Sequence, residues 1–133
     1  MKSYTDIVQS KILSEILQIE SADMHYVRKT RDFMENPVNG EWSHPKYGNL
    51  NSKHANYMVQ NFTSYEKIPC WGLAALLEVL NMPALTQNND DDWGVVINDP
   101  KYPDEYIEVH GSNPIDACVE MILKLKEKDL LQC

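Results

Sequence analysis

Two apolar stretches limit what this chain can fold into. Residues 70–80 (CWGLAALLEVL) are apolar almost all round, and residues 113–125 (NPIDACVEMILKL) open with a strong helix start. A helix apolar on every side belongs inside a core, and one with an apolar stripe must pack against that core. The segments between them alternate apolar and polar residues in the manner of strands, so an α+β arrangement is the simplest way to cover both.

The last helix is the best signalled. Asn113 can cap it, Pro114 fits its first position and Asp116 sits at the third, where a carboxylate favours the unpaired amides. Ile115, Cys118 or Val119, Ile122 and Leu125 form its buried stripe, and Lys124, Lys126 and Lys128 complement the dipole at its end. The central helix follows Pro69 and carries one charge, Glu78. Cys70, Leu73, Leu77 and Leu80 mark one face, Ala74 and Ala75 permit close approach, and Asn81 with Pro83 ends it. A first helix is expected over 5–19, with Ile12, Ile16 and Ile19 in period, Leu13 and Leu17 widening the stripe, and Ser3 or Thr5 as cap.

Residues 23–29 (DMHYVRK) read as a strand, with Met24, Tyr26 and Arg28 on one face. Trp93 to Ile97 and Glu105 to His110 read as two more, paired as a hairpin across a wide loop through Pro100 and Pro103. In the latter, Tyr106, Glu108 and His110 face one way, Ile107 and Val109 the other. Gln87 to Asp92 reads as a polar surface turn, and His54 to Tyr65 as either helical or extended. Residues 36–50 form an ordered loop, because Trp42 and Tyr47 lie between prolines and glycines and aromatics tie such loops to a core. The expectation is a single compact α+β domain over 1–133: a small antiparallel sheet with strands near 24–29, 93–97 and 105–110, packed by helices near 5–19, 71–81 and 114–128.

Size and charge narrow the function classes. A domain of 133 residues buries roughly two thirds of its unfolded surface and needs no disulfide or metal to fold. No apolar run approaches the roughly 20 residues of a membrane helix, and the amino terminus lacks a signal-peptide pattern. A cytoplasmic protein with no membrane contact is expected. Three cysteines at wide spacing, Cys70, Cys118 and Cys133, fit reduced thiols rather than a disulfide framework. The net charge is −8. Residues 25–54 hold five Lys or Arg against three acids, whereas residues 55–123 hold two against eleven. No positive footprint dominates, so nucleic acid is not an expected partner, and the acidic half either meets a basic partner or simply keeps the protein soluble.

The best catalytic constellation is Cys70 with His110 and Asn113. A thiol at a helix start is favoured as thiolate by the amides there, and an imidazole in reach can act as base. The order cysteine, histidine, asparagine, with Trp71 after the cysteine, is superficially similar to papain-like hydrolases. The upstream glutamine of those enzymes has only Gln60 as a counterpart, and the surroundings of Cys70 do not match a protease signature. The plainer reading is a cysteine that fills core space. His25, His44, His54 and His110 have no metal-ligand spacing, and Asp90, Asp91 and Asp92 lack the glycine and terminal glutamate of a calcium loop. Neither metal nor cofactor is expected. Glu105 and Glu108, three apart on a strand, point to opposite faces and make no acid/base pair. Dinucleotide, P-loop and serine-hydrolase motifs are absent. Trp42, Tyr47, Tyr57 and Tyr65 are candidates for an interaction surface, since exposed aromatics anchor interfaces; the alternative is that they pack the loop onto the core.

The segments IPCWGLAALLEVL and HGSNPIDACVEMILKLKEKDLL, with the strand pair between them, resemble a family of small uncharacterised proteins of gut Bacteroidales, often encoded in prophages or mobile elements. The resemblance covers roughly residues 65–131, and ADMHYVR resembles the family's first strand. It implies cytoplasmic expression and an accessory, element-borne role, and it assigns no activity to Cys70, Trp71, Asn113, Pro114 or Asp116. The favoured function is a non-enzymatic protein-interaction or regulatory module. Its expected partner is another protein, or a second copy that covers a spare apolar side of the first or last helix. The alternative is a papain-like cysteine hydrolase using Cys70 and His110.

Overall fold

The computed structural model describes residues 2–32, 34, 36–48, 65–102 and 104–131. Among them are three helices and two antiparallel three-stranded sheets, an α+β fold. The chain divides into two compact units, one of residues 6–71 and one of residues 1–5 with 72–133.

In the first unit, helix α1 (Ile7–Ser14) is followed by a 3-10 turn at Ile19–Ser21 and strand β1 (Met24–Lys29). Strands β2 (Lys46–Tyr47) and β3 (Tyr65–Cys70) flank β1 in the order β2-β1-β3. Helix α1 is shorter than the 5–19 expected. Its cap is Asp6, not Ser3 or Thr5: Asp6 Oδ1 accepts from the Gln9 amide at 2.8 Å and Gln9 Oε1 accepts from the Asp6 amide at 3.1 Å. The face that turns inward is also different. Ser10, Leu13 and Leu17 are buried, while Val8 and Ile12 are exposed one turn apart. The helix packs on β3. The loop after β1 runs back along it, with the Ser43 amide donating to Val27 O at 2.8 Å and the Gly40 amide to Lys29 O at 3.0 Å.

The second unit holds helix α2 (Leu73–Val79), strands β4 (Ala84–Asn89), β5 (Asp92–Asn98) and β6 (Tyr106–Gly111), and helix α3 (Pro114–Glu127). The strands lie in the order β4-β5-β6, and α3 packs on β5, β6 and α2. The pleat decides the two faces. Val95 and Ile107 point to α3 and are buried, whereas Tyr106, Glu108 and His110 stand outside, as the alternation requires. Helix α3 matches its sequence signals closely: Asn113 Oδ1 accepts from the Asp116 amide at 2.9 Å, Pro114 opens the helix, and Ile115, Cys118, Val119, Ile122 and Leu125 are buried.

Three expectations are corrected. One sheet with strands 24–29, 93–97 and 105–110 is instead two sheets, since β1 pairs with β3 over Met24–Lys29 and β5 pairs with β6 and β4. The central helix begins at Leu73, because Cys70 closes β3 and Gly72 is the helix cap. The Gln87 to Asp92 turn is mostly strand: β4 extends to Asn89, and only Asp90 and Asp91 turn the chain into β5.

Candidate functional site

Both helices of the second unit end in the same way, and residues at their ends line one cavity. After α2, Asn81 adopts φ 60° and its amide donates to Glu78 O at 3.0 Å, while the Met82 amide donates to Leu77 O at 2.8 Å. After α3, Asp129 adopts φ 57°, its amide donates to Lys126 O at 3.1 Å and the Leu130 amide to Leu125 O at 2.8 Å. These are Schellman closures, in which a left-handed residue turns the chain and the next residue's side chain meets the last helical turn. Leu130 follows that rule beside Leu125. Met82 does not.

Met82 itself has φ 57°, a second left-handed residue in succession, and its side chain is 77% exposed. For an unbranched but bulky residue this backbone is uncommon, and Pro83 pushes its predecessor toward extended geometry besides. Left-handed non-glycine residues cost on the order of 1–3 kcal/mol and gather at functional sites. Here a large apolar residue at such a position is mostly exposed.

Behind Met82 lies an apolar groove of about 470 Å³. The two helix ends and the chain just beyond them contribute Val79, Leu80, Leu125, Leu130 and Leu131, and strand ends contribute the cross-strand pairs Ala84–Val96 and Asn98–Tyr106. Tyr106, 74% exposed, is also part of the lining. The volume lies within the roughly 300–1,000 Å³ of ligand pockets. Asn81, Asn98 and Tyr106 are its polar residues, and among the described residues no charged one lines it. Asp99 shapes the adjoining loop by accepting from the Lys101 amide at 2.8 Å and the Tyr102 amide at 3.2 Å.

The residues that the sequence singled out belong to both units. Cys70 ends β3 in the first unit with 0% exposure, two residues before Gly72, the cap of α2. His110 and Asn113 belong to the second unit. His110 lies on the open sheet face with Nδ1 2.9 Å from Asp92 Oδ1 and Nε2 3.4 Å from Glu108 Oε2. The ring fits there because β5 has no side chain beneath it: a Cβ on Gly94 would lie 2.8 Å from Thr86 Oγ1 and 3.4 Å from the His110 ring. The hydrogen bond to Asp92, then that to Glu108, raises the imidazole pKa, and His110 and Asn88 together lower that of Asp92. A carboxylate at each ring nitrogen stabilises the imidazolium relative to the neutral ring. Asn113 spends its side chain on the α3 cap, its amide nitrogen donating to Asp116 Oδ2 at 3.0 Å.

Of the aromatic candidates, Trp42 packs inward: its ring edge meets Tyr26 at 6.5 Å, and Lys11 and Arg28 lie over it at 5.7 and 5.3 Å. Tyr65 opens β3 half-buried, Tyr47 is 87% exposed opposite Met24, and Tyr57 lies outside the described residues. Among the described residues no group of histidine, cysteine and acidic side chains is placed to hold a metal ion, and no helix is long and apolar enough to cross a membrane.

Both described cysteines are reduced and buried, and burial pushes the Cys118 thiol up to about 11. Iodoacetamide at neutral pH is therefore expected to leave the Cys70 and Cys118 peptides unlabelled in folded protein and to label both in denaturant, as read by mass spectrometry. Labelling of Cys70 in the folded state would restore it as a candidate nucleophile. Compared with protein-family models, with curated proteins and with solved structures, the chain has no match, so its site is read from its own geometry.

Proposed function

We propose that the chain is a non-enzymatic interaction or regulatory module whose second unit engages a partner protein through the groove at the two helix ends. One observation carries this reading: Met82 and Tyr106, both mostly in water, stand beside a cavity already lined with leucine and valine. Both belong to the cavity lining. A protein surface would cover them, and methionine and tyrosine are enriched at the centres of such interfaces. A second copy of the chain fits the groove less well, because the second unit carries twelve Asp and Glu against five Lys, a net −7 that would face its own charge. The resemblance to small proteins of Bacteroidales mobile elements adds a cytoplasmic, accessory setting to the proposal.

The test is a variant that alters the groove without harming the fold. Met82→Asn suits the left-handed backbone, since asparagine tolerates it, and Tyr106→Thr suits an exposed strand position. The double variant is expected to unfold at the wild-type urea concentration or slightly above it. Immobilised wild-type protein should retain a partner from lysate of the producing cell at least about tenfold better than the variant, a difference of about 1.4 kcal/mol. Equal retention by both proteins rejects the groove as the docking site.

A further inference from the structure

Strand β4 leaves a short, uncharged row of backbone groups open at the edge of its sheet. Such edges are usually blunted by charge, brevity, proline or a bulge. Among the described strands β4 (ALTQNN) alone has no charged or histidine residue, whereas β6 at the opposite edge carries Glu108 and His110. Pro83 precedes β4 and a bulge falls between Gln87 and Asn89, so its regular stretch is residues 84–87. All of β4 except Leu85 is exposed, and among the described residues no backbone group outside β5 bonds to it. The register shows which groups are left open. Thr86 Oγ1 lies 3.5 Å from Gly94 O, so that carbonyl points toward β4 and Thr86 and Gly94 form a backbone-bonded pair. The alternation of an antiparallel ladder then aims the amides and carbonyls of Leu85 and Gln87 out of the sheet.

We infer that this edge pairs with β4 of a second copy, antiparallel about a two-fold axis at Thr86, joining two three-stranded sheets into one. In that register Leu85 of each chain meets Gln87 of the other, and each pair exchanges both of its backbone bonds. Thr86 faces Thr86 of the second copy as a non-hydrogen-bonded pair, where side chains approach most closely and threonines pair favourably. The contact stays within the regular stretch that Pro83 and the bulge bound. Charge favours a second copy here. Neither strand carries a charge, and antiparallel order brings each acidic turn, Asp90 and Asp91, toward Met82 of the second copy rather than toward its own counterpart. An isologous contact also closes on itself, so it stops at a dimer and does not grow into a fibre. The net −7 of each second unit opposes the approach at longer range, and salt screens that repulsion. The pairing uses the backbone edge of β4, so it is independent of the groove's occupant.

Sedimentation equilibrium on the full chain tests this without any other ligand. Between about 0.01 and 1 mM protein a reversible monomer–dimer equilibrium is expected, tighter in about 0.5 M than in about 0.05 M salt. Thr86→Glu and Thr86→Lys each set like charges against each other at the axis, and each should weaken the dimer about fivefold or more. An equal mixture of the two variants should recover association, because glutamate then faces lysine. Gln87→Pro removes an outward donor at an exposed edge position, where proline is tolerated, and should abolish the dimer. A urea titration first establishes that each variant is folded. The charge changes and the proline act on different groups, so either set decides if the other does not fold. A chain that stays monomeric to about 1 mM in high salt overturns the inference, as does a dimer that loosens when salt rises. A dimer indifferent to the Thr86 charges or to Gln87→Pro also overturns it, since the copies then meet elsewhere. Failure of the glutamate–lysine mixture to recover association rejects the axis at Thr86 and the inference with it. The docking reading is decided separately, by lysate capture with Met82→Asn/Tyr106→Thr.

Discussion

Trp71→Ala is expected to lower the unfolding free energy by about 3–5 kcal/mol, the usual range for emptying a large aromatic site. Trp71 is the largest of the fully buried side chains, at 0% exposure, and follows directly on β3. Its indole nitrogen donates to Ser21 Oγ at 2.9 Å, which ties the strand's end to the 3-10 turn after α1. Alanine would leave both a cavity and a hydroxyl without that donor, although Ser21 still donates to Gln18 O at 2.6 Å. Since whole domains are stable by only about 5–15 kcal/mol, this variant is close to the limit of folding. Trp71→Phe separates the contributions: it retains most of the ring volume and loses the N–H, so a cost of about 1–2 kcal/mol is expected. Urea titrations followed by far-UV circular dichroism give both values. A loss under about 1 kcal/mol for Trp71→Ala would mean that this side chain does not organise the core.

The same residue shows why the sequence was only partly readable. The run from Cys70 to Leu80 is continuous and apolar, and such a run does not reveal where a strand stops and a helix starts. The structure cuts it at Gly72, giving Cys70 to β3 and Leu73 to α2. Pro69 pointed to a helix start, yet it pairs with His25 in β3. That is permitted because β3 is an edge strand, where a missing amide can face away from the ladder. Strand β4 escaped notice for a related reason. Its residues ALTQNN are nearly all exposed at the other sheet's edge, so no apolar alternation marks them. By contrast β1 and α3 carry their patterns and caps in consecutive residues, and both emerge within a residue or two of the expected bounds. The groove had no comparable local signature. Leu80, Tyr106 and Leu130 meet only because two helix ends and several strand ends are brought to one place. Asn81 and Pro83 announced the end of a helix, but nothing in the sequence announced that Met82 between them would be held in solvent.

Gly111→Ala is expected to cost about 2–4 kcal/mol, a large effect for one methyl group, because it acts on backbone rather than on a side chain that can rotate away. Gly111 ends β6 opposite Trp93, and the first turn of α3 lies directly against it. A Cβ there would sit 2.5 Å from the Ala117 nitrogen, 2.9 Å from its Cα and 2.9 Å from the Asp116 carbonyl carbon. To admit it, the turn must lift from the sheet. Lifting would disturb the Asn113 cap on the Asp116 amide, the 2.9 Å ion pair of Lys2 with Asp116, and the burial of Ile115 and Ala117. The cap's share can be measured by itself, since Asn113→Ala alone should cost about 1 kcal/mol. In the double variant the two losses should sum to less than their total by about 0.5 kcal/mol or more, because alanine at 111 has already spoiled the cap that the second change removes. Strict additivity would show that the helix accommodates the methyl group without moving its first turn. A Gly111→Ala cost under about 0.5 kcal/mol would show that α3 and the sheet are not in the close contact on which its position, and with it the placement of Leu125 and Leu130 in the groove, depends.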